Sequence, residues 1–262
     1  MSCPENFTAI ITGASSGIGE VFARELARNN YNLLLIARRE EKLKQLAKEL
    51  EDFYDITTEV FPADLGKMEE IDRVVEKIKN TESIFFLINN AGFATRGQFV
   101  DVDAEKHKEM ISVHVTASTI ITQAVLPSML ERKEGAIINV ASISGLLKNR
   151  GSPNYASTKA YLIKFAEMLA LEVKGTNIKV QALCPGYTHT EFHSVRDFEG
   201  FNKKTIPRFL WMNSEDVVIK SIQSLKKNKV IVVPGRKNRL IVRLVNSKIL
   251  GRLIIRIMFG KR

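Results

Sequence analysis

FTAIITGASSGIGE, residues 7–20, contains the change of pattern on which the fold turns. FTAIIT (7–12) is apolar on both faces, as a strand buried between two layers must be. TGASSGIGE (12–20) then sets Gly13, Gly17 and Gly19 where that strand gives way to a helical run ending near Asn30. Glycines allow a tight turn and let backbone N–H groups approach an anion, and the start of the helix adds a favourable field. Ser15, Ser16 and Ile18 fill the turn between them. The spacing is G-x-x-x-G-x-G, not the commoner G-x-G-x-x-G. A turn that needs glycine for backbone reasons alone is the competing reading, and the strand–turn–helix context outweighs it.

The same alternation repeats outward from this unit. NLLLIA (32–37), ITTEVFPAD (56–64), SIFFLINN (83–90), GAIINVAS (135–142) and IKVQALCP (178–185) read as strands. Amphipathic runs at 40–51, 67–80, 103–132 and 154–174 read as the helices between them. Strand, helix, strand at this rhythm predicts a doubly wound parallel sheet, Rossmann-like, with helices on both faces. We expect one domain over 1–235 and a basic C-terminal extension over 236–262. In such a sheet, ligands bind beyond the carboxyl ends of the strands.

Bulk properties narrow the function classes. The chain has 262 residues, enough for a full core in one α/β domain. Two cysteines, Cys3 and Cys184, are too few for a disulfide framework and suit a reducing compartment. The first fourteen residues hold no sustained apolar run behind a basic start, so the expectation is a cytoplasmic chain. The net charge is +10, yet the first 225 residues carry 27 basic and 29 acidic side chains. The whole excess lies in 226–262, with 12 Lys and Arg and no acid. This excludes a general nucleic-acid-binding face and assigns the charge to a local task. His189, His193 and Cys184 lack metal-ligand spacing, so no metal is expected.

The second strand ends in Ala37-Arg38-Arg39, with no acid until Glu40. An acid there would bind the ribose 2′-hydroxyl of NAD, whereas arginine suits a 2′-phosphate. The cofactor expected is therefore NADP(H).

SPNYASTKAY (152–161) adds a tyrosine and a lysine at i and i+4, on one face of a helix. Pro153 suits the first turn and Ser152 a cap. Four signals then stand in order: TGASSGIG, Asn89-Asn90-Ala91-Gly92, Ser142, and Tyr155 with Lys159. Cys184-Pro185-Gly186 follows, with Thr190 four residues beyond. Together they resemble the short-chain dehydrogenase/reductase family over roughly residues 7 to 235.

The resemblance implies catalytic roles for Ser142, Tyr155 and Lys159. Tyr155 would be the acid/base, Lys159 its partner and a ribose ligand, and Ser142 the hydrogen-bond donor to a substrate carbonyl. Ser142 is preferred to Ser144 because it lies thirteen residues before Tyr155, as in the family. A cation at ~4 Å is worth about 4 kcal/mol at an effective dielectric of about 20, enough to draw a phenol toward neutrality. The resemblance also places Asp64 at the adenine and Asn90, Ala91 and Gly92 beside its ribose. Pro185, Gly186 and Thr188 would lie at the nicotinamide amide, and Thr190 at the carboxamide or pyrophosphate. Turn and cap chemistry explains Asp64 and Thr190 equally well. One position departs: His114 stands where the family commonly has an asparagine. In the family the main-chain carbonyl at this position holds a water linked to the lysine, so the resemblance implies that a histidine retains that relay or adds a titratable group.

Residues 187–213 read as a substrate loop carrying Tyr187, Phe192, Phe198, Phe201, Phe209, Leu210, Trp211 and Met212. They either face an apolar substrate or pack the loop down. In the tail, Leu250, Leu253, Ile254 and Ile257 share one helical face with Lys248, Arg252 and Arg256 on another. Such a basic amphipathic helix suits an anionic membrane surface, an acidic partner or its own subunit. The expectation is an NADPH-dependent reductase of an apolar ketone, peripheral at a membrane if the tail binds one, and by resemblance a homodimer or homotetramer. The alternatives are an oxidative alcohol or hydroxysteroid dehydrogenase and a low-turnover cofactor-binding regulator or scaffold.

Overall fold

Seven strands form one parallel sheet, in a computed structural model that describes residues 7–95, 97–148, 152–193 and 206–247. The first half runs β1 (Thr8–Thr12), α1 (Gly17–Arg28), β2 (Asn32–Ala37), α2 (Glu40–Phe53), β3 (Thr58–Pro62), α3 (Met68–Lys79) and β4 (Ile84–Asn89). The second half runs α4 (Ala104–Ile111), α5 (Ala117–Arg132), β5 (Glu134–Val140), α6 (Pro153–Glu172) and β6 (Asn177–Leu183). Two short strands, β7 (Thr188–His189) and β8 (Met212–Asn213), pair with each other, and α7 (Ser214–Leu225), β9 (Ile231–Val232) and α8 (Arg236–Val245) close the chain.

The strand order is β3-β2-β1-β4-β5-β6-β9. Because side chains alternate along a strand, a strand apolar on both faces feeds two cores. Ile10, Leu34, Ile36, Leu87 and Ile137 pack beneath α3, α5 and α6. Ala9, Ile11, Leu33, Leu35 and Ile138 pack beneath α1, α2 and α7. The chain reverses its direction of winding between β1 and β4, which are adjacent in the sheet, and the cleft opens beyond their carboxyl ends.

The expected strands and helices are present, most of them trimmed by one or two residues. Three features differ. The helix expected over 103–132 is broken by a π-helical turn at Ser112–Thr116, centred on His114. β9 is a seventh strand of two residues, too short to show a period, paired only through Ala182–Ile231 and Leu183–Val232. Helix α8, at the start of the expected extension, packs against the body through buried Asn238 and Val245. The rest of the tail, with Leu250, Leu253, Ile254 and Ile257, lies outside the described residues, as do Phe198 and Phe201.

Gly19 shows how tightly the first turn is built. A Cβ there would meet the Gly13 carbonyl oxygen at 2.4 Å and Asn90 Nδ2 at 2.5 Å. Both are fixed groups, so neither can yield cheaply. Gly19→Ala is expected to lower unfolding free energy by about 2–3 kcal/mol, as overpacking does. Urea denaturation of the purified variant measures it, and a loss below about 0.5 kcal/mol, the range of a neutral surface change, would contradict this reading.

Candidate active site

The floor of the cleft is the junction of β1 and β4. Thr12 Oγ1 donates to the Ile88 carbonyl at 3.2 Å and accepts the N–H groups of Asn90 and Ala91 at 2.9 and 3.0 Å. Asn90 Nδ2 donates to the Thr12 and Gly13 carbonyls at 3.0 and 3.1 Å. The Asn90 amide is thus spent on the glycine turn, while its residue still lines the cleft. Gly13 and Gly17 have φ of +67° and +62°, the left-handed region that glycine tolerates. Gly19 does not line the cleft. Its missing side chain lets α1 pack closely on the turn, against the Gly13 carbonyl and Asn90.

Arg39 reaches back over that turn. Its Nη2 donates to Ser15 Oγ at 3.0 Å and to Ser16 Oγ at 2.6 Å, and its Nη1 to Glu191 at 2.8 Å. Arg38 lies 3.4 Å from Glu109. Both arginines line the cleft with Ser15, Ser16 and Ile18.

Pro153 opens α6, as its fixed φ favours. Ser152 takes the N-cap position and its carbonyl accepts the Ala156 N–H, but its hydroxyl donates to the Thr95 carbonyl and makes no capping bond. One turn in, Tyr155 and Lys159 share a face, with Lys159 Nζ 5.8 Å from the Tyr155 ring centroid. Ser142 favours the charged form of the Tyr155 phenol, and Ser142 Oγ is itself held by the Ser144 N–H at 3.1 Å. Lys159 is buried and donates to the Val140 carbonyl at 2.8 Å. Ser142, Tyr155 and Lys159 therefore meet at one place on the cleft wall.

The electrostatics correct the expectation from spacing. Burial pushes the Tyr155 phenol up to about 12, against the opposing pull of the Ser142 hydrogen bond. Burial also brings Lys159 down to about 7. A lysine that is only half charged near neutrality is no permanent cation, so desolvation outweighs Coulomb attraction here. Burial likewise raises Cys184, behind Lys159, to about 12, which leaves a neutral thiol.

Asp64 Oδ1 accepts the Gly66 N–H at 3.1 Å, a turn contact made by a residue that also lines the cleft. Thr188 Oγ1 donates to the Gly186 carbonyl at 3.0 Å, and Thr190 Oγ1 accepts from Phe192 N–H at 3.3 Å. Ala91, Gly92, Pro185, Gly186, Thr188 and Thr190 all line the cleft, whose volume is about 1000 Å³. The loop aromatics divide in function. Trp211 packs against Tyr187 and His189, at 5.5 and 4.8 Å between centroids, and so holds the loop down. Phe192, Phe209 and Leu210 face the cleft, with Phe192 6.2 Å from the Tyr155 ring. Asn238 and Ile241 of α8 also line it. Nothing in the sequence pattern marked them, because they belong to a helix whose dominant signal is charge.

A profile of the short chain dehydrogenase family matches residues 7–198. The chain belongs to the short-chain dehydrogenase/reductase family. A curated relative in Homo sapiens, "Inactive hydroxysteroid dehydrogenase-like protein 1", is 33% identical over 72% of this chain and 58% of its own length. The "Very-long-chain 3-oxoacyl-CoA reductase" of Anas platyrhynchos is 36% identical over 75% of this chain and 64% of its own. This chain thus spans under two thirds of either relative. A solved short-chain dehydrogenase from Sphingobium yanoikuyae in complex with NADPH superposes with a TM-score of 0.82 at 33% identity, covering 88% of each chain.

The family uses a nicotinamide cofactor, and the residues here fit a dinucleotide. Gly13 and Gly17 leave bare backbone at the start of α1. A Cβ on Gly92 would meet His114 Nε2 at 2.7 Å and Lys159 Nζ at 3.4 Å, so that wall admits no side chain. His114 stands directly behind that Gly92 wall of the cleft, with its imidazole fully buried. Nε2 accepts the Phe93 N–H at 3.0 Å, which leaves the proton on Nδ1 for Thr158 Oγ1 at 2.8 Å. Thr158 in turn donates to the Tyr155 carbonyl at 2.9 Å. Burial, and then the Lys159 charge, hold His114 well below its ordinary pKa, so it adds no titratable group at neutral pH.

Lys159 is costly to the fold. It binds its proton below about 7 when folded but below about 10.5 when unfolded. Stability on this account falls as pH drops from about 10.5 to about 7 and is level below that. Lys159→Met removes the penalty and loses a hydrogen bond worth about 1 kcal/mol, so a net gain on the order of 3 kcal/mol is expected at pH 7. Denaturation at pH 7 and pH 10 should show that gain shrinking at the higher pH. A variant less stable than wild type at pH 7 would contradict the account.

Proposed function

We propose that the protein is an NADPH-dependent oxidoreductase that reduces the carbonyl group of an apolar ketone to an alcohol. The observation that carries this reading is the convergence of Ser142, Tyr155 and Lys159, the last 5.8 Å from the Tyr155 ring, on the wall of a cleft otherwise rich in apolar side chains. A reduced nicotinamide cofactor, held by the glycine turn at Gly13 and Gly17 and the wall at Gly92, would supply hydride for the carbonyl carbon. The Ser142 hydroxyl hydrogen-bonds the carbonyl oxygen and orients it. Tyr155 gives that oxygen its phenolic proton, and a charged Lys159 stabilises the phenolate left behind.

The protonation states favour this direction. A phenol whose pKa lies near 12 carries its proton at neutral pH and serves as an acid. The oxidative alternative needs a phenolate base, which the same burial disfavours. Arg39 over Ser15 and Ser16, with Arg38 beside it and no acid at the end of β2, supports NADPH. So does the NADPH held by the Sphingobium yanoikuyae relative. Ile143, Leu147, Phe192, Ile206, Leu210 and Ile241 give the cleft an apolar lining, which supports a fatty, acyl or polycyclic ketone. A relative named as inactive keeps a non-catalytic reading in view, and the assembled Ser142, Tyr155 and Lys159 weigh against it.

Tyr155→Phe is expected to lower ketone-dependent NADPH oxidation by about 10²–10⁴-fold, the range for a lost general acid, and to leave NADPH binding within about twofold. Stopped-flow absorbance and calorimetric titration measure the two. Wild-type turnover should also fall as pH rises through about 7, where Lys159 loses its charge. Unimpaired turnover in Tyr155→Phe would overturn the mechanism, and a wild type that uses NADH as well as NADPH would overturn the cofactor.

A further inference from the structure

The acid facing Arg39 comes from the far side of the sheet. Glu191 stands on the turn Glu191–His193, next to Thr190 on the cleft wall. Its Oε2 accepts from Arg39 Nη1 at 2.8 Å and its Oε1 from Lys42 Nζ at 2.8 Å. The carboxylate therefore bridges Arg39 and Lys42, two cations just beyond the end of β2, from 152 and 149 residues away in the chain. The hydrogen bonds from Lys42 and then Arg39 hold it down to about 2, so it is an anion at any pH where the protein is handled. Nearby on this rim, Arg38 pairs with Glu109, and Glu109 with Lys106.

A ribose phosphate placed on Arg39 and the two serines would arrive beside this carboxylate. Arg39 commits Nε and Nη2 to Ser15 and Nη2 also to Ser16, and only Nη1 points to Glu191. The entering phosphate must share the guanidinium with a like charge or displace it. We propose that Glu191 is a built-in competitor for the cofactor's 2′-phosphate and sets how strongly the cleft discriminates phosphorylated from unphosphorylated dinucleotide. The proposal rests on the NADPH reading of Arg39. Arg39 and Glu191 are about half exposed, so water and salt temper the competition, and a change of several-fold is the scale to expect. Glu191 touches no reacting atom and acts through Arg39 and Lys42, which makes it a specificity-determining residue.

Calorimetry with adenosine 2′,5′-bisphosphate and with 5′-AMP isolates the effect, because the two probes differ only by the 2′-phosphate and need no turnover. Glu191→Gln keeps the side chain's size and removes its charge. The variant should bind the bisphosphate about three- to tenfold more tightly than wild type while 5′-AMP changes less than twofold. The gain should shrink at about 0.5 M salt, where the Debye length falls to about 4 Å. If wild type prefers the bisphosphate but the variant binds it equally or more weakly, Glu191 is no competitor and the proposal fails. If wild type binds the two probes alike, the NADPH reading fails first, and with it the premise of the proposal.

Discussion

The stitch between β1 and β4 is the constraint on which the site depends. Thr12 Oγ1 serves three backbone groups across the switch point, and Asn90 returns two bonds to the start of the glycine turn. Winding reverses here, so helices leave to opposite faces and a cleft must open above the strand ends. Without the stitch the backbone polar groups at the cleft floor would be unpaired, at a cost of roughly 1–3 kcal/mol each. With it, the turn that can cradle a pyrophosphate and the wall that carries Gly92 are held as one body. His114 extends the same logic: it joins the Phe93 N–H to Thr158, and through Thr158 to the backbone of Tyr155. The cleft wall at Phe93 and helix α6 are thus connected by directional bonds as well as by apolar packing.

At Tyr155 and Lys159 two physical effects oppose each other, and magnitudes decide between them. Coulomb attraction in a partly aqueous site can lower a phenol by several kcal/mol. Removing the ammonium from water costs a similar amount, and that cost falls on the cation meant to do the work. In this site burial wins for both groups. The result is a phenol that holds its proton at neutral pH, beside a lysine whose charge depends on the surroundings. The same burial that makes the pair useful makes it unfavourable to fold, as expected where function and stability compete.

Much of this was legible in the chain because it rests on period and punctuation. Strands apolar on both faces, glycines at strand ends and a tyrosine–lysine pair one helical turn apart are local patterns, and the structure contains each of them. What escaped notice depends on contacts between distant residues. No local signal says that Glu191 will pair with Arg39 and Lys42, that Asn90 will spend its amide on Gly13, or that Gly19 will serve packing. The π-turn at His114 is equally unreadable, since an apolar helix looks the same with or without one extra residue per turn. The pKa values were missed for a related reason: spacing gives the distance between charges but not how much water surrounds them.

Helix α8 shows why a change of composition is a poor guide to where a site ends. Its charge set it apart, and its exposed face bears Arg236, Lys237, Arg239 and Arg243. Its inner face is part of the cleft. Asn238 is buried, donates to the Pro234 carbonyl at 3.1 Å and lies so close to Gly186 that a Cβ there would meet its Nδ2 at 2.6 Å. Gly186 follows β6 on the cleft wall, so α8 presses on the segment that leads into Thr188 and Thr190. Ile241, one turn further on, adds an apolar surface to the same cleft. A helix that is basic outside and fitted inside has two independent reasons for its sequence. Only the outer one shows in a composition count, whereas the inner one shapes the space a substrate would occupy.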